Sequence, residues 1–497
     1  MKIRPESCCD FYKTGHAIQY PNKTELVYSN MTPRSSKYAP SLKGIFDDKV
    51  VAYGFQGFIL EDLINTWNEH FFAVPRSEVL SRYKRRMDTS LGKDVVGTEY
   101  IEALHRRGYL PLRIKALPEG SKVSIRVPLL TIQNTEDDFY WLTNLLETWM
   151  SAELWKRITT ATTAYKYRLL IEKYAAETGA PRDFINWQGH DFSFRGMSGV
   201  HDAASSGSGH LLSFFGTDTI PAIDYLEDYY SGGDTFVGGS VPATEHSVMC
   251  MGTKDGEDET FLRLITKVYS SGVVSIVSDT WDFWRVITVL ALKYKTQILN
   301  RTPNEIGLAK VVFRPDSGDP VKIICGDPDA PIDSPQHKGA VECLWEIFGG
   351  DTNSAGYRTL NQRVGLIYGD SITLYRAQEI LQRLKDKGFS SANIVFGIGS
   401  YTYQFVTRDA YGLAVKATFG RVDGEDREIF KDPVTDDGTK KSARGLIKVI
   451  PTADGYQAID RVSAAEEAQS ALTEVFVNSK LTQRTTLTEI RQRLLAG

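Results

Sequence analysis

The chain has 497 residues with a formal net charge of −4, a pI near 6.1, 42% hydrophobic residues and 24% charged residues. This length is more than one hydrophobic core usually serves, so we expect two or three domains. The slight negative charge argues against a general nucleic-acid binder or a protein that coats membrane surfaces.

The cysteines and the chain start indicate a reducing compartment. The cysteines are odd in number and show no disulfide or metal spacing that we recognise; they are Cys8, Cys9, Cys250, Cys325 and Cys343. The histidines are scattered without an HxxxH pattern, so no zinc site is expected. The start lacks the apolar stretch of a signal peptide, and no apolar run reaches about 18 residues. We therefore expect a cytoplasmic protein that does not enter a membrane.

The first third of the chain mixes strand and helix patterns. Residues 1–50 predict irregular structure with short strands, and apolar periodicity predicts helices within 54–72 and 77–107. Strand patterns flank the turn Pro118-Glu119-Gly120 and predict a hairpin over 112–133, with a break at Pro128. A further helix is predicted over 139–176. This part therefore indicates an α+β domain over residues 1–150.

The middle of the chain alternates strands with helices. Four apolar runs each end in a polar turn: 273–277 before Ser278-Asp279-Thr280, 308–313 before Arg314-Pro315-Asp316-Ser317-Gly318-Asp319, 364–368 before Gly369-Asp370-Ser371, and 394–396 before Gly397-Ile398-Gly399-Ser400. Alternation predicts a parallel sheet of an α/β barrel or a doubly wound fold. The carboxyl ends of parallel strands meet at one edge, where such folds bind ligands. We therefore expect one site at that rim.

Three further polar clusters precede these turns. They are His190-Asp191-Phe192-Ser193-Phe194-Arg195-Gly196, Gly216-Thr217-Asp218-Thr219 and Ser240-Val241-Pro242-Ala243-Thr244-Glu245-His246-Ser247. Residue order alone leaves a structural role open for His246, because neighbours in sequence need not share a site. Plain core packing is equally open for Phe192.

The residue types at the predicted rim suit a phosphorylated sugar. Carboxylates bind sugar hydroxyls and Mg²⁺, while glycine amides and basic side chains bind phosphate. The chain lacks a GxxxxGK[ST] loop, and Gly397-x-Gly399 lacks the third glycine of a dinucleotide fingerprint. The sequence therefore favours a phosphate–sugar site over a P-loop ATPase or a Rossmann dehydrogenase.

After residue 430 a charged loop leads to a predicted strand at 446–450 and a predicted helix at 487–495. No low-complexity linker divides the chain. We therefore expect interleaved domains rather than domains on a flexible tether.

Taken in order, these motifs resemble the nicotinate phosphoribosyltransferase group of type II phosphoribosyltransferases, and within it the members that use nicotinamide. The resemblance covers almost the whole chain. The matching segments are Asp10-Phe11-Tyr12-Lys13, Gln19-Tyr20-Pro21, Tyr140-Trp141-Leu142-Thr143-Asn144, the three clusters at 190–247, Val277-Ser278-Asp279-Thr280-Trp281-Asp282, residues 314–320, Gly369-Asp370-Ser371, Thr407-Arg408-Asp409 and Phe430-Lys431-Asp432-Pro433-Val434.

The resemblance implies an irregular α/β barrel over residues 151–429 and a mixed α+β domain built from residues 1–150 and 430–497. It also implies a homodimer with two sites at the subunit interface. The implied reaction joins nicotinamide to phosphoribosyl pyrophosphate, giving nicotinamide mononucleotide and diphosphate for NAD salvage, with coupling to ATP hydrolysis.

The resemblance also assigns roles to single residues. Phe192 of one subunit and Tyr12 of the other would stack on the nicotinamide ring. Asp218 would accept from the carboxamide nitrogen and Arg314 would donate to its oxygen. His246 would be the histidine that ATP phosphorylates. The sugar and phosphates would be bound by Asp316, Gly369, Asp370, Gly399, Ser400 and Arg195, with positive charge from Arg34, Arg408, Lys416 and Lys431, and Mg²⁺ by Asp279 and Asp316.

Two segments depart from the pattern of the group. Ser400 stands where the group's phosphate loop has glycine, and Tyr401 adds bulk beside it. Ser193 and Phe194 stand where small or tyrosyl residues are familiar. Neither departure removes a charged group, although the phosphate contact would then use a hydroxyl as well as an amide.

Three alternatives stay open at this stage. A nicotinate enzyme is disfavoured because a substrate carboxylate about 4 Å from Asp218 would cost roughly 4 kcal/mol at an effective dielectric of about 20. A catalytically idle binding protein on the same scaffold is disfavoured because Arg314, Asp316, Asp370 and His246 are all present. An unrelated barrel hydrolase would need a carboxylate pair at a catalytic separation, which sequence does not show.

Overall fold

The computed structural model describes residues 3–231, 236–430 and 443–496. Its strands are β1 Thr24–Thr32, β2 Lys49–Val51, β3 Leu112–Ala116, β4 Lys122–Ser124, β5 Leu130–Asn134, β6 Gly189–Asp191, β7 Gly216–Thr217, β8 Val273–Val277, β9 Lys310–Arg314, β10 Gly350–Thr352, β11 Arg358–Leu360, β12 Val364–Tyr368, β13 Val395–Ile398, β14 Ala414–Val422, β15 Glu425–Glu428, β16 Leu446–Thr452, β17 Gly455–Val462, β18 Thr473–Val477 and β19 Lys480–Leu481.

The α-helices are α1 His16–Gln19, α2 Phe55–Phe58, α3 Arg76–Leu91, α4 Glu99–Arg107, α5 Leu142–Leu145, α6 Glu147–Thr178, α7 Arg182–Ile185, α8 Val200–His210, α9 Ile220–Tyr230, α10 His246–Met251, α11 Glu257–Arg263, α12 Phe283–Arg285, α13 Ala291–Lys293, α14 Lys295–Leu299, α15 Pro320–Cys325, α16 Pro335–Lys338, α17 Ala340–Phe348, α18 Leu374–Asp386, α19 Ser400–Tyr403, α20 Ala464–Glu467 and α21 Leu487–Leu495. Wider π-type turns cover Ile59–Thr66, Asn68–Phe72, Leu264–Val268 and Val286–Leu290. Short 3₁₀ turns cover Pro5–Ser7, Phe11–Gly15, Asp137–Phe139, Phe194–Gly196, Ser391–Asn393 and Arg408–Ala410.

A parallel sheet in the order β7-β6-β13-β12-β9-β8 forms the predicted α/β unit. The strands are short and mostly buried, as in β12, whose only partly buried residue is Gly365. Buried apolar strands are typical of parallel sheets that helices cover. Residues 239–244 join the two edges of the sheet, since Gly239 pairs with Gly216 and Ala243 pairs with Ser275. The sheet therefore closes into an irregular barrel, which confirms the predicted fold class.

The helix between β12 and β13 shows how the sequence specifies this barrel. In α18 the residues Leu374, Ala377, Ile380, Leu381 and Leu384 are buried, at helical spacing. The hydroxyl of its N-cap threonine accepts from a backbone amide of the first turn, and a glycine with φ 74° follows the helix. A threonine N-cap and a glycine after the last turn are common sequence signals of helix ends.

A second sheet is antiparallel throughout, in the order β15-β14-β1-β5-β3-β18-β19. Its long strand β1 pairs with both β14 and β5 and crosses the region that we predicted to be irregular. The predicted hairpin over 112–133 is wrong in its pairing. Strand β3 pairs with β5, whereas the intervening β4 pairs with β2.

The reason for the altered pairing is a buried carboxylate in the predicted turn. Glu119 accepts hydrogen bonds from the amides of Gly54 at 2.8 Å and Gln56 at 2.7 Å. These bonds attach the turn to the start of α2, so the chain that follows runs beside β2 before it returns to the sheet. A local turn signal cannot report such a distant anchor.

Strands β14 and β15 extend the antiparallel sheet although they precede residue 430, where we predicted the second domain to resume. Helix α6 connects the two cores: Leu154 and Ile158 pack in the core of the antiparallel sheet, while Tyr167 and Leu170 pack in that of the barrel. The proposed division at residues 150 and 430 stays a prediction.

Within residues 3–231, 236–430 and 443–496, no helix combines the length and apolarity needed to cross a membrane.

Candidate active site

The predicted rim exists and lies at the carboxyl ends of the barrel strands. Phe192 follows β6, Asp218 follows β7, Asp279 lies just beyond β8, Arg314 ends β9, and Gly369 follows β12. Parallel register places these strand ends at one edge of the barrel. The sequence periodicity therefore predicted the position of the site as well as the presence of the strands.

Asp218 is a rim carboxylate that two neighbouring side chains hold in place. Its Oδ1 accepts a hydrogen bond from Ser240 Oγ at 2.6 Å, and His190 Nε2 lies 2.8 Å from the same oxygen. Burial raises the pKa of Asp218, but the hydrogen bonds from His190 and Ser240 and the positive charge of Arg314 outweigh it and hold the pKa below its ordinary value. Asp218 is therefore an ionised acceptor at neutral pH.

The Phe192 ring and the Arg314 guanidinium lie beside this carboxylate. The Phe192 ring is partly exposed and lies 4.5 Å from the His190 ring, centroid to centroid. The Arg314 guanidinium carbon lies 6.0 Å from the Phe192 centroid. Arg314 Nη2 donates to the Thr244 carbonyl at 2.8 Å, whereas its Nε has no hydrogen-bond partner. Phe192 thus offers a flat ring, Arg314 a donor group and Asp218 an ionised acceptor.

Asp279 and Asp316 form a second polar centre. Asp279 Oδ2 accepts from the Asp316 amide at 2.9 Å and from Ser317 Oγ at 2.6 Å, and its Oδ1 lies 3.1 Å from His246 Nε2. Asp316 Oδ2 lies 3.6 Å from Arg314 Nε. Burial raises the pKa of Asp316, Arg314 partly offsets this, and Asp279 raises the pKa further.

A divalent cation fits the donor set at this second centre. Asp316 Oδ1 is buried and has no hydrogen-bond partner among the described residues, and a Cβ at Gly369 would collide with it. Among the residues that the structure describes, no three His, Cys, Asp or Glu side chains converge into a ready-made metal site. Mg²⁺ is commonly held by one or two carboxylates together with substrate phosphates. The orphaned oxygen beside Asp279 suits that mode.

The predicted phosphate loop follows β13. A Cβ at Gly399 would meet nothing within 4 Å, so the backbone there borders open space. A Cβ at Gly196 would collide with Ser400 Oγ, so the segment that carries Arg195 packs closely against this loop. Arg195 is exposed and makes no hydrogen bond or ion pair with the described residues. Asp370 is also exposed, and its Oδ2 accepts from Ser371 Oγ at 2.7 Å.

Four other predicted residues make their contacts with residues other than those of the rim. Tyr12 is 66% exposed, with Lys13 Nζ 5.2 Å from its ring centroid. Lys13 and Lys416 both pair with Glu147, at 2.7 and 3.2 Å. Burial and the carboxylates of Asp10 and Glu147 raise the pKa of Tyr12, and the charge of Arg408 partly offsets this rise.

Arg34 is exposed and donates from Nε to the Gly412 carbonyl at 3.0 Å. We call Tyr12, Arg34, Arg408 and Lys416 the basic surface. In the described part of the chain, no hydrogen bond, ion pair or ring contact joins Tyr12 to Phe192. The structure therefore joins rim residues by contacts with one another, whereas none of these contacts joins Tyr12 to Phe192 within the described residues. Lys431 lies outside the described residues.

We did not predict His190 and Ser240 as site residues, although they belong to the sequence clusters at 190–196 and 240–247. The signal for His190 was available, because residues i and i+2 of a strand face the same side and His190 precedes Phe192 by two. Ser240 gave no such signal, since it lies on the irregular segment that closes the barrel.

Comparisons with known proteins identify relatives of this chain. A sequence profile of the Nicotinate phosphoribosyltransferase (NAPRTase) family matches residues 187–480. The chain is 62% identical over 493 residues to a nicotinamide phosphoribosyltransferase from Acinetobacter baylyi, covering 99% of this chain and 97% of that protein. It is 33% identical to the protein of the same name from Mycoplasma pneumoniae, covering 88% and 94%.

Among solved structures, human nicotinic acid phosphoribosyltransferase is similar with a TM-score of 0.53 and 15% identity, covering 98% of this chain and 93% of that chain. The nicotinate-nucleotide pyrophosphorylase from Pyrococcus furiosus is similar with a TM-score of 0.53 and 14% identity, covering 99% and 95%. At such identities the likeness supports the fold alone. From the profile and the full-length relatives together, the chain belongs to the nicotinate phosphoribosyltransferase family.

Proposed function

We propose that this protein transfers the phosphoribosyl group of phosphoribosyl pyrophosphate to nicotinamide, giving nicotinamide mononucleotide and diphosphate in NAD salvage. The observation that carries the proposal is the pairing of an ionised acceptor, Asp218, with a donor, Arg314, beside the Phe192 ring. A carboxamide presents one NH₂ donor and one oxygen acceptor on a flat ring. The full-length relatives named for this activity support the same substrate.

In the proposed reaction the pyridine nitrogen attacks C1 of the ribose. The new C1–N bond takes the nitrogen lone pair, the C1–O bond to diphosphate breaks, and the diphosphate leaves with that electron pair. Because C1 becomes oxocarbenium-like, the protein must align the nitrogen and stabilise charge rather than provide a nucleophile. Phe192, Asp218 and Arg314 would orient the ring, and we expect no covalent sugar–enzyme intermediate.

The ribose and diphosphate would lie over the second polar centre. Asp316 with Asp279 would hold Mg²⁺, which when bound would neutralise charge on the diphosphate. Asp370 and the close approach that Gly369 permits would accommodate the ribose, and Gly399, Ser400 and Arg195 the 5′-phosphate. The orphaned Asp316 Oδ1 supports this placement.

Nicotinate as substrate is the main alternative. Its carboxylate would meet the ionised Asp218, whose pKa lies below its ordinary value, so like charges would oppose binding. A binding protein without activity is the other alternative, and the complete set of charged residues at the rim disfavours it.

The decisive assay incubates the protein with Mg²⁺, phosphoribosyl pyrophosphate and either nicotinamide or nicotinate, and separates the mononucleotides by chromatography. We expect nicotinamide mononucleotide as the main product. Nicotinate mononucleotide as the main product would refute the substrate, and no product from either base would favour the binding protein. Omission of phosphoribosyl pyrophosphate is the control, because a hydrolase would not depend on it.

We also propose that ATP hydrolysis is coupled to synthesis through His246. Its Nε2 lies 3.1 Å from Asp279 Oδ1, and its side chain is 47% exposed. With the Nε2 proton directed to the carboxylate, Nδ1 carries the lone pair. Nδ1 would attack the γ-phosphorus of ATP and release ADP, and water would later hydrolyse the phosphohistidine to free phosphate.

Replacing His246 tests this coupling. In His246→Ala we expect the ratio of synthesis rates with and without ATP to fall to about 1, because no nucleophile remains to take the phosphoryl group. Incubation with γ-labelled ATP should give acid-labile label on the wild type and none on the variant. His70→Ala is a matched control on a helix of the other domain. Retained ATP stimulation in His246→Ala would exclude this role.

A homodimer with shared sites is part of the same proposal. The basic surface presents the Tyr12 ring, which is 66% exposed, together with the cations Arg34, Arg408 and Lys416, and Phe11 beside Tyr12 is 47% exposed. A second copy could bring these groups over Phe192 and the phosphate loop.

Cytoplasmic location is proposed as well, supported by five cysteines that are all free thiols; cell fractionation would test it.

A further inference from the structure

We propose that His190 and Ser240 are positioning residues that fix the orientation of Asp218 and thereby select a carboxamide over a carboxylate on the pyridine ring. The inference rests on the proposed function. It concerns how the site discriminates between substrates and assigns a task to two residues that make no contact with the reacting atoms.

The two residues act on one oxygen of Asp218. Ser240 Oγ donates to Oδ1 at 2.6 Å, and His190 Nε2 lies 2.8 Å from the same atom. Within the described residues, Oδ2 has no hydrogen-bond partner, and the side chain is 43% exposed. Two donors on Oδ1 stop rotation of the carboxylate about its terminal bond. Oδ2 is thus left as a fixed, accessible acceptor for an incoming NH₂ group.

The positions of both donors follow from the barrel itself. His190 is the middle residue of β6, where it pairs with Gly216 of β7 on one side and Gly397 of β13 on the other. A Cβ at Gly216 would lie 2.7 Å from His190 Nδ1, so a glycine there gives the imidazole its space. Ser240 lies on the segment that closes the barrel. Three separate elements therefore meet at Asp218.

This arrangement makes Asp218 an acceptor only. Donors at Oδ1 stabilise the ionised form, so Oδ2 cannot donate to a nicotinate carboxylate, and the negative charge repels it. A carboxylate freed from both donors could rotate away or take up a proton. Either change would weaken nicotinamide binding and relax the rejection of nicotinate, without any change at Arg314 or Asp316.

His190 also packs on Phe192, with ring centroids 4.5 Å apart and planes inclined by 38°. A loss of activity in an alanine variant would not separate this packing from the hydrogen bond. His190→Gln keeps an N–H donor near the position of Nε2 but removes the ring. His190→Phe keeps a ring against Phe192 but removes the donor. The pair therefore separates the two roles.

The experiment measures kcat/KM for nicotinamide and for nicotinate at saturating phosphoribosyl pyrophosphate. We expect His190→Phe and Ser240→Ala each to lower the nicotinamide-to-nicotinate ratio about tenfold, the usual effect of losing a hydrogen bond to a charged group. The loss should appear mainly as a higher KM for nicotinamide, with the KM for phosphoribosyl pyrophosphate unchanged. His190→Gln should keep the ratio within about threefold of the wild type.

A second background tests whether the effect passes through Asp218. In Asp218→Asn the ratio should already be low, and adding His190→Phe should change it by less than about twofold, because coupled residues are not additive. Ser231→Ala is the matched serine control, since its hydroxyl donates to the Glu227 carbonyl on an exposed part of α9. It should match the wild type.

Unchanged ratios in His190→Phe and Ser240→Ala would overturn the inference. So would a His190→Phe effect that persists at full size in the Asp218→Asn background. Thermal midpoints identify variants that fail to fold, and Ser240→Ala carries the test if His190→Phe is one of them. Failure of the proposed function would look different, because the wild type itself would then make no nicotinamide mononucleotide, which would overturn both.

Discussion

Asp316→Asn should lower kcat/KM for nicotinamide mononucleotide synthesis about 10²–10³-fold, which is the scale of losing one preorganised electrostatic contact. The substitution keeps the size of the side chain but removes its charge. In the part of the chain that the structure describes, Asp316 Oδ1 is buried without a hydrogen-bond partner and Oδ2 lies 3.6 Å from Arg314 Nε, so the charge interacts with the site rather than with the rest of the protein. We expect Mg²⁺ and phosphoribosyl pyrophosphate to bind more weakly for the same reason.

Although Asp316→Asn should lower activity, we do not expect it to lower the thermal stability of the protein. Burial raises the pKa of Asp316 in the folded protein, so at neutral pH its ionised form is less favourable folded than unfolded. This cost is absent below the ordinary carboxyl pKa and grows as pH rises through that range. The thermal midpoint of Asp316→Asn at pH 7 should therefore equal or exceed that of the wild type.

The combination of lost activity and retained stability distinguishes a site residue from a structural one. Asp327→Asn is the matched control, since that carboxylate is paired with Lys322 at 3.1 Å on the surface of the same segment. It should leave kcat/KM and the thermal midpoint unchanged. An Asp316→Asn protein that keeps kcat/KM within about threefold of the wild type would remove Asp316 from the proposed site.

The barrel could be predicted from sequence because its signals are local. The run at 273–277 matches β8, and the run at 364–368 matches β12. Each is a buried strand followed by a polar turn, and parallel strands place such turns together. The rim position of Asp279, Arg314 and Gly369 follows from that rule alone.

The antiparallel sheet was harder to predict because its pairings join distant parts of the chain. Strand β1 pairs with β14 about 390 residues later, with register irregularities near Thr24 and Tyr28 that blur any alternation. The pairing of β4 with β2 depends on Glu119 binding backbone amides more than 60 residues earlier. No window of sequence contains both partners, so periodicity could not reveal either pairing.

The details of the site fall between these cases. Asp218 could be singled out by its polar turn, whereas Ser240 reaches it from the irregular closing segment, which has no period. The separation of Tyr12 from Phe192 also follows from tertiary structure. The sequence predicts both rings, but only the fold shows that they make no contact with each other within the described part of one chain.

Because Tyr12 and Phe192 make no contact within the described part of one chain, activity should depend on how two protomers combine their residues. Asp316→Asn alters the rim and Arg408→Ala alters the basic surface, and we expect each homodimer to be nearly inactive. Arg408 is half-exposed, and among the residues that the structure describes its ion pair is with Asp409, at 3.6 Å, so its loss should remove a phosphate-binding charge without unfolding the chain. If the partner provides the basic surface, a mixed dimer contains one site with both changes and one with neither.

Co-expression of the two variants should therefore restore activity. Random pairing makes about half of the dimers mixed, and one of their two sites is intact, so about a quarter of wild-type activity should return. Tandem purification through a different tag on each variant would raise this to about a half, because only mixed dimers remain. Thermal midpoints of the two homodimers would show that both variants fold.

Mixing Asp316→Asn with Asp279→Asn is the matched control. Both carboxylates lie on the rim of one barrel, where Asp279 accepts from the Asp316 amide at 2.9 Å. Every site of such a mixed dimer carries one of the two changes, so no activity should return. No recovery with Arg408→Ala when mixed dimers are shown to form would place each complete site within a single chain. Recovery in the control would mean instead that Asp279 and Asp316 of one site come from different chains. Recovery with Arg408→Ala alone would mean that the basic surface of one protomer completes the rim of the other.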